Sequence, residues 1–381
     1  MSAFFAAART GDRAAFHASI SPRDPTFADR ARLLFTNLST VPLTRLDVTV
    51  GTDIRPVGPD RVKILGPGAW AQPITVRWRL RGQARTAEHR VWLTMVANDN
   101  DNANDNDNAN DGVRVAGASE PPPGAARTPQ PIWWRGPVTT TAGDGSLLLL
   151  GSSQPAERWS ERATEALQQI RRHAPAGVHL VDDNVVFEVP ASLADFEAVV
   201  GVPSGSYHEV AAATVSAGPA PDAAVHVVVN PGAERRLSDD GLAVALTHEA
   251  VHAATRSPTS PAPAWAVEGL ADYVALRAYP DAQAGVFAPL RAQVRSAGGP
   301  LALPTDRAFA ADAPGVAVAY ASAWSFAQFV AETSGASRLG RLYAALDAGT
   351  SLTAAAPRIL GMSEKELLEA WRSNLFRRAG R

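Results

Sequence analysis

Helical periodicity at both ends of the chain, with alternating strands between, predicts an α+β fold in two domains. Near the start, Phe4, Phe5, Ala8 and Phe16, then Phe27, Leu34 and Leu38, recur at helical spacing. The period then changes to two in "LDVTV", "VKIL", "ITVRWRL" and "HRVWLTMV", which read as an antiparallel sheet packed on those helices. Beyond residue 230 helical patterns dominate to the end, and 381 residues suit two domains of about 100–200 residues each.

The first domain is expected over residues 1–152. A disordered Asn/Asp/Pro-rich insertion is expected at 98–128, because "NDNDNANDNDNAND" and "GASEPPPGAARTPQP" carry too little apolar surface to offset the entropy of ordering. A calcium loop fits this stretch poorly, since the register that starts at Asp107 puts Ala109 and Ala118 where oxygen ligands are required. "WWRGPVTTTAGDGSLLLLG" adds two strands around a Gly-Asp-Gly turn and completes the domain.

A second domain is expected over 153–381, opening with the helix "AERWSERATEALQQIRRH". A strand at "NVVFEVP", a helix at "SLADFEAVVG" and strands near "YHEVAAATV" and "AVHVVVNP" follow. Trp265, Trp324 and Trp371 are expected in the core of the helical part, and "SEKE" at 363–366 is a capping box that opens the last helix.

Composition narrows the function. A formal net charge of −2 without a basic patch argues against nucleic acid, and no apolar run reaches the roughly 18 residues of a membrane span. With no cysteine in the chain, disulfides, thiolate nucleophiles and Cys-based metal sites are excluded, so a metal would rest on His and carboxylate. Oligomeric state is not legible.

The chemistry concentrates in "LTHEAVHAATRSPTSPAPAWAVEGLADY", residues 246–273. Ser238 is the expected N-cap of its helix, and Asp239 and Asp240 suit the positive end of the helix dipole. Four residues apart on that helix, His248 and His252 face one way and can share an ion, with Glu249 beside them as a general base. A third ligand is needed, and no histidine follows at the HExxHxxGxxH spacing. Glu268 on the next helix is the expected ligand, and Asp272, four residues on, would hydrogen-bond an imidazole, His248.

These residues resemble the gluzincin metallopeptidases, which carry HExxH followed by ExxxD. With 15 residues between His252 and Glu268, and with "PAWAVEGLADY", the stretch looks most like the peptidase-MA-like domains of bacterial surface proteins. The resemblance covers roughly residues 155–381 and implies a zincin-like domain: a small sheet, an active-site helix and a helical C-terminal subdomain. It also implies zinc, held by His248, His252 and Glu268. Residues 1–152 are similar in outline to the cone-shaped α+β fold of nuclear-transport-factor-like domains.

The resemblance further implies hydrolysis of a peptide or protein substrate by metal-activated water. Glu249 would be the base and Tyr320, or secondly Tyr273, would stabilise the oxyanion. It implies an extracytoplasmic location, secreted or anchored by a segment upstream of this chain, although a chain without cysteine suits the cytoplasm equally. The rival expectation is a catalytically silent surface adaptor or sensor with a structural or vestigial zinc site.

Overall fold

A computed structural model describes residues 2–97, 112–118, 121–181, 184–297, 302–310 and 312–380. With 51% helix and 19% strand, the fold is mixed α+β. The chain divides into two compact units: unit 1 holds residues 1–160 and 186–232, and unit 2 holds 161–185 and 233–381.

Unit 1 opens with α1 (Ser2–Thr10), α2 (Arg13–Ala18) and α3 (Pro25–Thr40). Asp24 caps α3 by accepting from Thr26 N at 3.1 Å and Phe27 N at 3.3 Å, with Pro25 preset for the first turn. Phe27, Ala31, Leu34, Phe35 and Leu38 then form one buried stripe. Next come β1 (Leu43–Val50), the short β2 (Arg55–Pro56), α4 (Pro59–Leu65), β3 (Trp70–Leu80), β4 (Ala87–Ala97) and β5 (Val113–Ala118). The sheet order is β1-β3-β4-β5, all antiparallel, with β2 on β3.

Two sequence expectations change here. "VKIL" lies in helix α4 and not in a strand. Pro59 stands in the first turn, Gly66 at φ 91° ends the helix, and Leu65 is buried beside Trp92 and Ala116. Within the insertion expected to be disordered, Val113–Ala118 pairs with β4 and buries Val115, Ala116 and Ala118. Asn, Asp and Pro on both sides dilute its apolar content. Residues 98–111 and 119–120 of that insertion lie outside the described residues.

The second sheet of unit 1 uses β6 (Val138–Gly143), β7 (Ser146–Gly151), β8 (Val185–Val189), β9 (Ala212–Ser216) and β10 (Val225–Val229), in the order β6-β7-β8-β10-β9. Between β7 and β8 runs α5 (Ala156–His173), and α6 (Leu193–Val200) follows β8. Strands on both sides of residue 152 therefore share one sheet. They also share one core: Trp78, Trp133, Leu147, Leu149, Val186, Phe196 and Val228 belong to a single cluster of buried residues. Asn37 ties α3 to this sheet, donating to Trp133 O at 2.8 Å and Gly136 O at 2.6 Å and accepting from Val138 N at 3.1 Å.

Unit 2 is helical: α7 (Asp239–Thr255), α8 (Ala264–Ala278), α9 (Gln283–Ala297), α10 (Val316–Ser334), α11 (Ala336–Asp347), α12 (Leu352–Leu360) and α13 (Glu364–Ala379). α8 packs on both α7 and α10. Trp324 and Trp371 are buried, the indole of Trp371 donating to Ser325 Oγ at 3.1 Å, whereas Trp265 is half-buried. Ser363 and Glu366 form the expected capping box. None of the described helices is long and apolar enough to cross a membrane.

Candidate metal centre

α7 begins where the sequence indicates, with Ser238 Oγ accepting from Gly241 N at 3.1 Å and two aspartates in the first turn. Unlike a surface helix it is apolar nearly all round, and Leu242, Leu246, Ala250, Val251 and Ala254 are buried. Its C-terminus is pinned by Val181 N, which donates to Ala254 O at 2.9 Å. The helix stops at Arg256, whose φ of 57° is left-handed, and a short 3-10 turn over Ser257–Thr259 follows. α8 starts after Pro263, where Asp306 Oδ1 accepts from Ala264 N at 2.9 Å. Deeper in α8, Gly269 allows the helix to approach the backbone of α10: an added Cβ would lie 2.7 Å from Ala323 O.

This packing brings three ligand atoms together. His248 Nε2 and His252 Nε2 are 2.9 Å apart, and Glu268 Oε2 lies 3.2 Å from the first and 3.3 Å from the second. Two donors about 2.0–2.1 Å from a tetrahedral ion sit roughly 3.3 Å apart, so the triangle has the size a small divalent cation requires. Glu268 Oε2 is buried and makes no hydrogen bond, with both imidazole Nε2 atoms at ion-pair distance. An orphaned carboxylate oxygen beside two ring nitrogens is a donor set suited to a cation. Among the described residues, His248, His252 and Glu268 form a group that can hold a metal ion.

The other ring nitrogens are held from behind. His248 Nδ1 lies 2.8 Å from Asp272 Oδ1, and His252 Nδ1 lies 2.7 Å from Ser257 Oγ. Asp272 thus stands where the ExxxD spacing put it. Ser257 was not singled out in the sequence, and its signal is weak: a serine placed only by the left-handed turn at Arg256.

The carboxylates and imidazoles of the cluster favour one another's charged forms. Burial pulls His248 down, but the carboxylates of Asp272 and Glu268 more than reverse this and hold it well above its ordinary value of 6.5. Burial likewise pushes Glu268 up, and the imidazoles of His252 and His248 overcome it, leaving Glu268 far below the usual carboxylate range.

Glu249 follows His248 on α7 and is half-buried. Tyr320 on α10 is half-buried with its ring 6.3 Å from that of His248 and 5.2 Å from Phe309. Tyr273 is 2% exposed in α8, and its hydroxyl accepts from Arg277 at 3.3 Å, which makes it a core residue.

Two further groups of polar side chains are paired within unit 1. In unit 1 a cleft of about 310 Å³ is lined by Trp92, Arg135 and Glu197, among others. There Arg135 donates to Asp195 and Gln130, while Glu197 accepts from Gly205 N and Tyr207 N. The unit is also crossed by a buried chain in which His226 Nδ1 meets Glu188 at 2.6 Å and Nε2 meets Gln83 at 2.8 Å.

Fold and site together define an α+β chain with a His/His/Glu cluster that can hold a metal, built on two packed helices. No family model, curated protein or solved structure matches it.

Proposed function

We propose that unit 2 is a zinc-dependent peptide hydrolase of the gluzincin type. The observation that carries this reading is the convergence of two imidazole Nε2 atoms and the orphaned Oε2 of Glu268, with Glu249 next to the first ligand. Zinc is favoured because two nitrogens and one carboxylate oxygen are its common donors, and because three protein ligands leave one position open. The fold reading extends from the same helices. α7 bearing "HEAVH", α8 bearing Glu268 and Asp272, and the helical tail beyond them make up the C-terminal part of a zincin-like domain.

Held by these ligands, zinc would supply Lewis acidity, polarising a substrate carbonyl and lowering the pKa of a water molecule towards about 7. Glu249 takes the proton from the attacking water and returns it to the leaving amine, as a carboxylate adjacent to the reacting centre can. Asp272 accepts from His248 Nδ1 and so leaves Nε2 free to coordinate. Tyr320, across from His248, is the donor assigned to the developing oxyanion. In unit 1, α1–α3 packed on β1-β3-β4-β5 is the element order of a nuclear-transport-factor-like domain, to which we assign substrate restriction or placement of the enzyme.

Metal analysis paired with peptide cleavage tests the reading. Wild type should bind one zinc per chain and cleave a mixed-peptide substrate; Glu249→Gln should retain zinc and lose cleavage; Glu268→Ala should lose both. Zinc bound without cleavage by wild type would turn the assignment to a surface adaptor with a structural site. Failure to bind any divalent cation would sink both.

A further inference from the structure

The two imidazoles of the cluster are backed differently: His248 by the carboxylate of Asp272, His252 by the hydroxyl of Ser257. A carboxylate only accepts, so it dictates that His248 Nδ1 carries a proton. A hydroxyl can donate or accept, and its role is set by where its own proton can go.

Ser257 has such an outlet. Its Oγ lies 2.7 Å from His252 Nδ1 and 3.4 Å from the carbonyl oxygen of His252, which belongs to the last turn of α7. That carbonyl already accepts from the backbone N–H of Arg256, and the second lone pair of its oxygen leaves room for the hydroxyl proton as well. The hydroxyl proton can pass to the carbonyl, so the oxygen lone pair faces Nδ1 and receives its N–H. The reverse assignment would put the proton on Nε2, aimed at His248 Nε2 only 2.9 Å away, where it would block coordination. Ser257 itself is held with 9% exposure by the left-handed residue Arg256 before it and Pro258 after it.

We propose that Ser257 is a positioning residue that selects the Nδ1–H tautomer of His252 and so presents Nε2 as a ligand. The inference rests on the zinc reading above, while the tautomer itself can be measured without metal. Outer partners of ligating histidines typically change metal affinity by about 10- to 100-fold when removed. Serine in place of a carboxylate also leaves this side of the site without an extra negative charge, so one imidazole is backed by an anion and the other by a neutral group.

The experiment is a long-range ¹H–¹⁵N correlation on protein labelled at histidine, with and without zinc, for wild type, Ser257→Ala and Ser257→Thr. His252→Gln identifies the resonance. Wild type and Ser257→Thr should show His252 protonated at Nδ1 in both states. In metal-free Ser257→Ala the proton should move to Nε2, and zinc affinity should fall by about 10- to 100-fold. In chelator, Ser257→Ala should unfold cooperatively and keep the helical content of wild type, which separates tautomer control from general loosening of the turn.

Wild type protonated at Nε2, or an Ala variant with unchanged tautomer, would overturn the proposal. So would full zinc affinity in Ser257→Ala. A wild type that binds no zinc yet shows the Ser257-dependent tautomer would reject the metal reading while leaving the tautomer assignment in place.

Discussion

Replacing Gly269 with alanine sets two effects of opposite sign against each other. In a helix interior, alanine is favoured over glycine by about 0.5–1 kcal/mol, so propensity alone predicts a more stable α8. The structure predicts otherwise. The new Cβ would lie 2.7 Å from Ala323 O and 3.0 Å from Ala323 C, where ordinary contact begins near 3.4 Å, and the obstacle is backbone. About 0.7 Å of separation must therefore be found between α8 and α10. Overpacking of this kind costs about 1–3 kcal/mol, which offsets the helix gain and leaves a net loss of up to about 2.5 kcal/mol. For a unit of this size that is roughly 2–4 °C in Tm per kcal/mol.

The displaced helix carries Glu268 immediately before the glycine and Asp272 three residues after it. Sites of this kind tolerate only about 0.5 Å of misplacement, so on the proposed zinc reading the affinity for zinc should fall by about tenfold or more. Thermal unfolding in chelator reads the first quantity and competition against a chromophoric chelator reads the second. A Gly269→Ala variant that is more stable than wild type and binds zinc equally well would refute the close approach and the role given to it.

On the same reading, Asp272→Ala should weaken zinc binding by about 10- to 100-fold without unfolding unit 2, measured by the same competition. In chelator, the metal-free cluster should contribute most to stability between pH 4.5 and 6.5. Above its ordinary value of 4.5 the depressed Glu268 contributes fully, and its contribution is lost as pH falls through the folded value. Below 6.5 the raised His248 contributes fully, and its contribution fades as pH climbs through the folded value. The Tm difference between wild type and His248→Gln should thus be largest in that window and shrink as pH climbs through the raised His248 value; a difference that grows with pH would contradict the assignment. In unit 1, burial raises the Asp24 carboxyl but hydrogen bonds from Thr26 and Arg61 overcome it and hold it below its ordinary value. Asp24→Ala removes both the α3 cap and the 2.6 Å contact with Arg61, and should cost about 2–4 kcal/mol in urea unfolding. Asp24→Asn, which keeps a capping oxygen, should cost clearly less.

What was legible follows from range. His248, His252, Glu268 and Asp272 meet through spacings of four within helices, a local geometry that periodicity encodes, and the caps at Ser238 and Ser363 are equally local. Ser257 depends on a left-handed turn at an arginine, and no residue type marks that conformation as glycine would. "VKIL" has strand composition, but Pro59 and the packing of Leu65 decide for helix. The pairing of β7 with β8 spans the whole of α5, and nothing in either strand announces its partner.

That last pairing governs how the polypeptide can be divided and in what order it can fold. The path crosses between units at 160/161, 185/186 and 232/233, so no single cut separates them, and a fragment ending at residue 152 would leave β7 with an open edge where β8 belongs. During synthesis, the second sheet of unit 1 stays incomplete until β10 has emerged, by which time α5 has been waiting for α7–α13. Limited proteolysis should accordingly yield nicked but associated chains from cuts near the crossings, and co-expression of two pieces should succeed where one piece alone is insoluble.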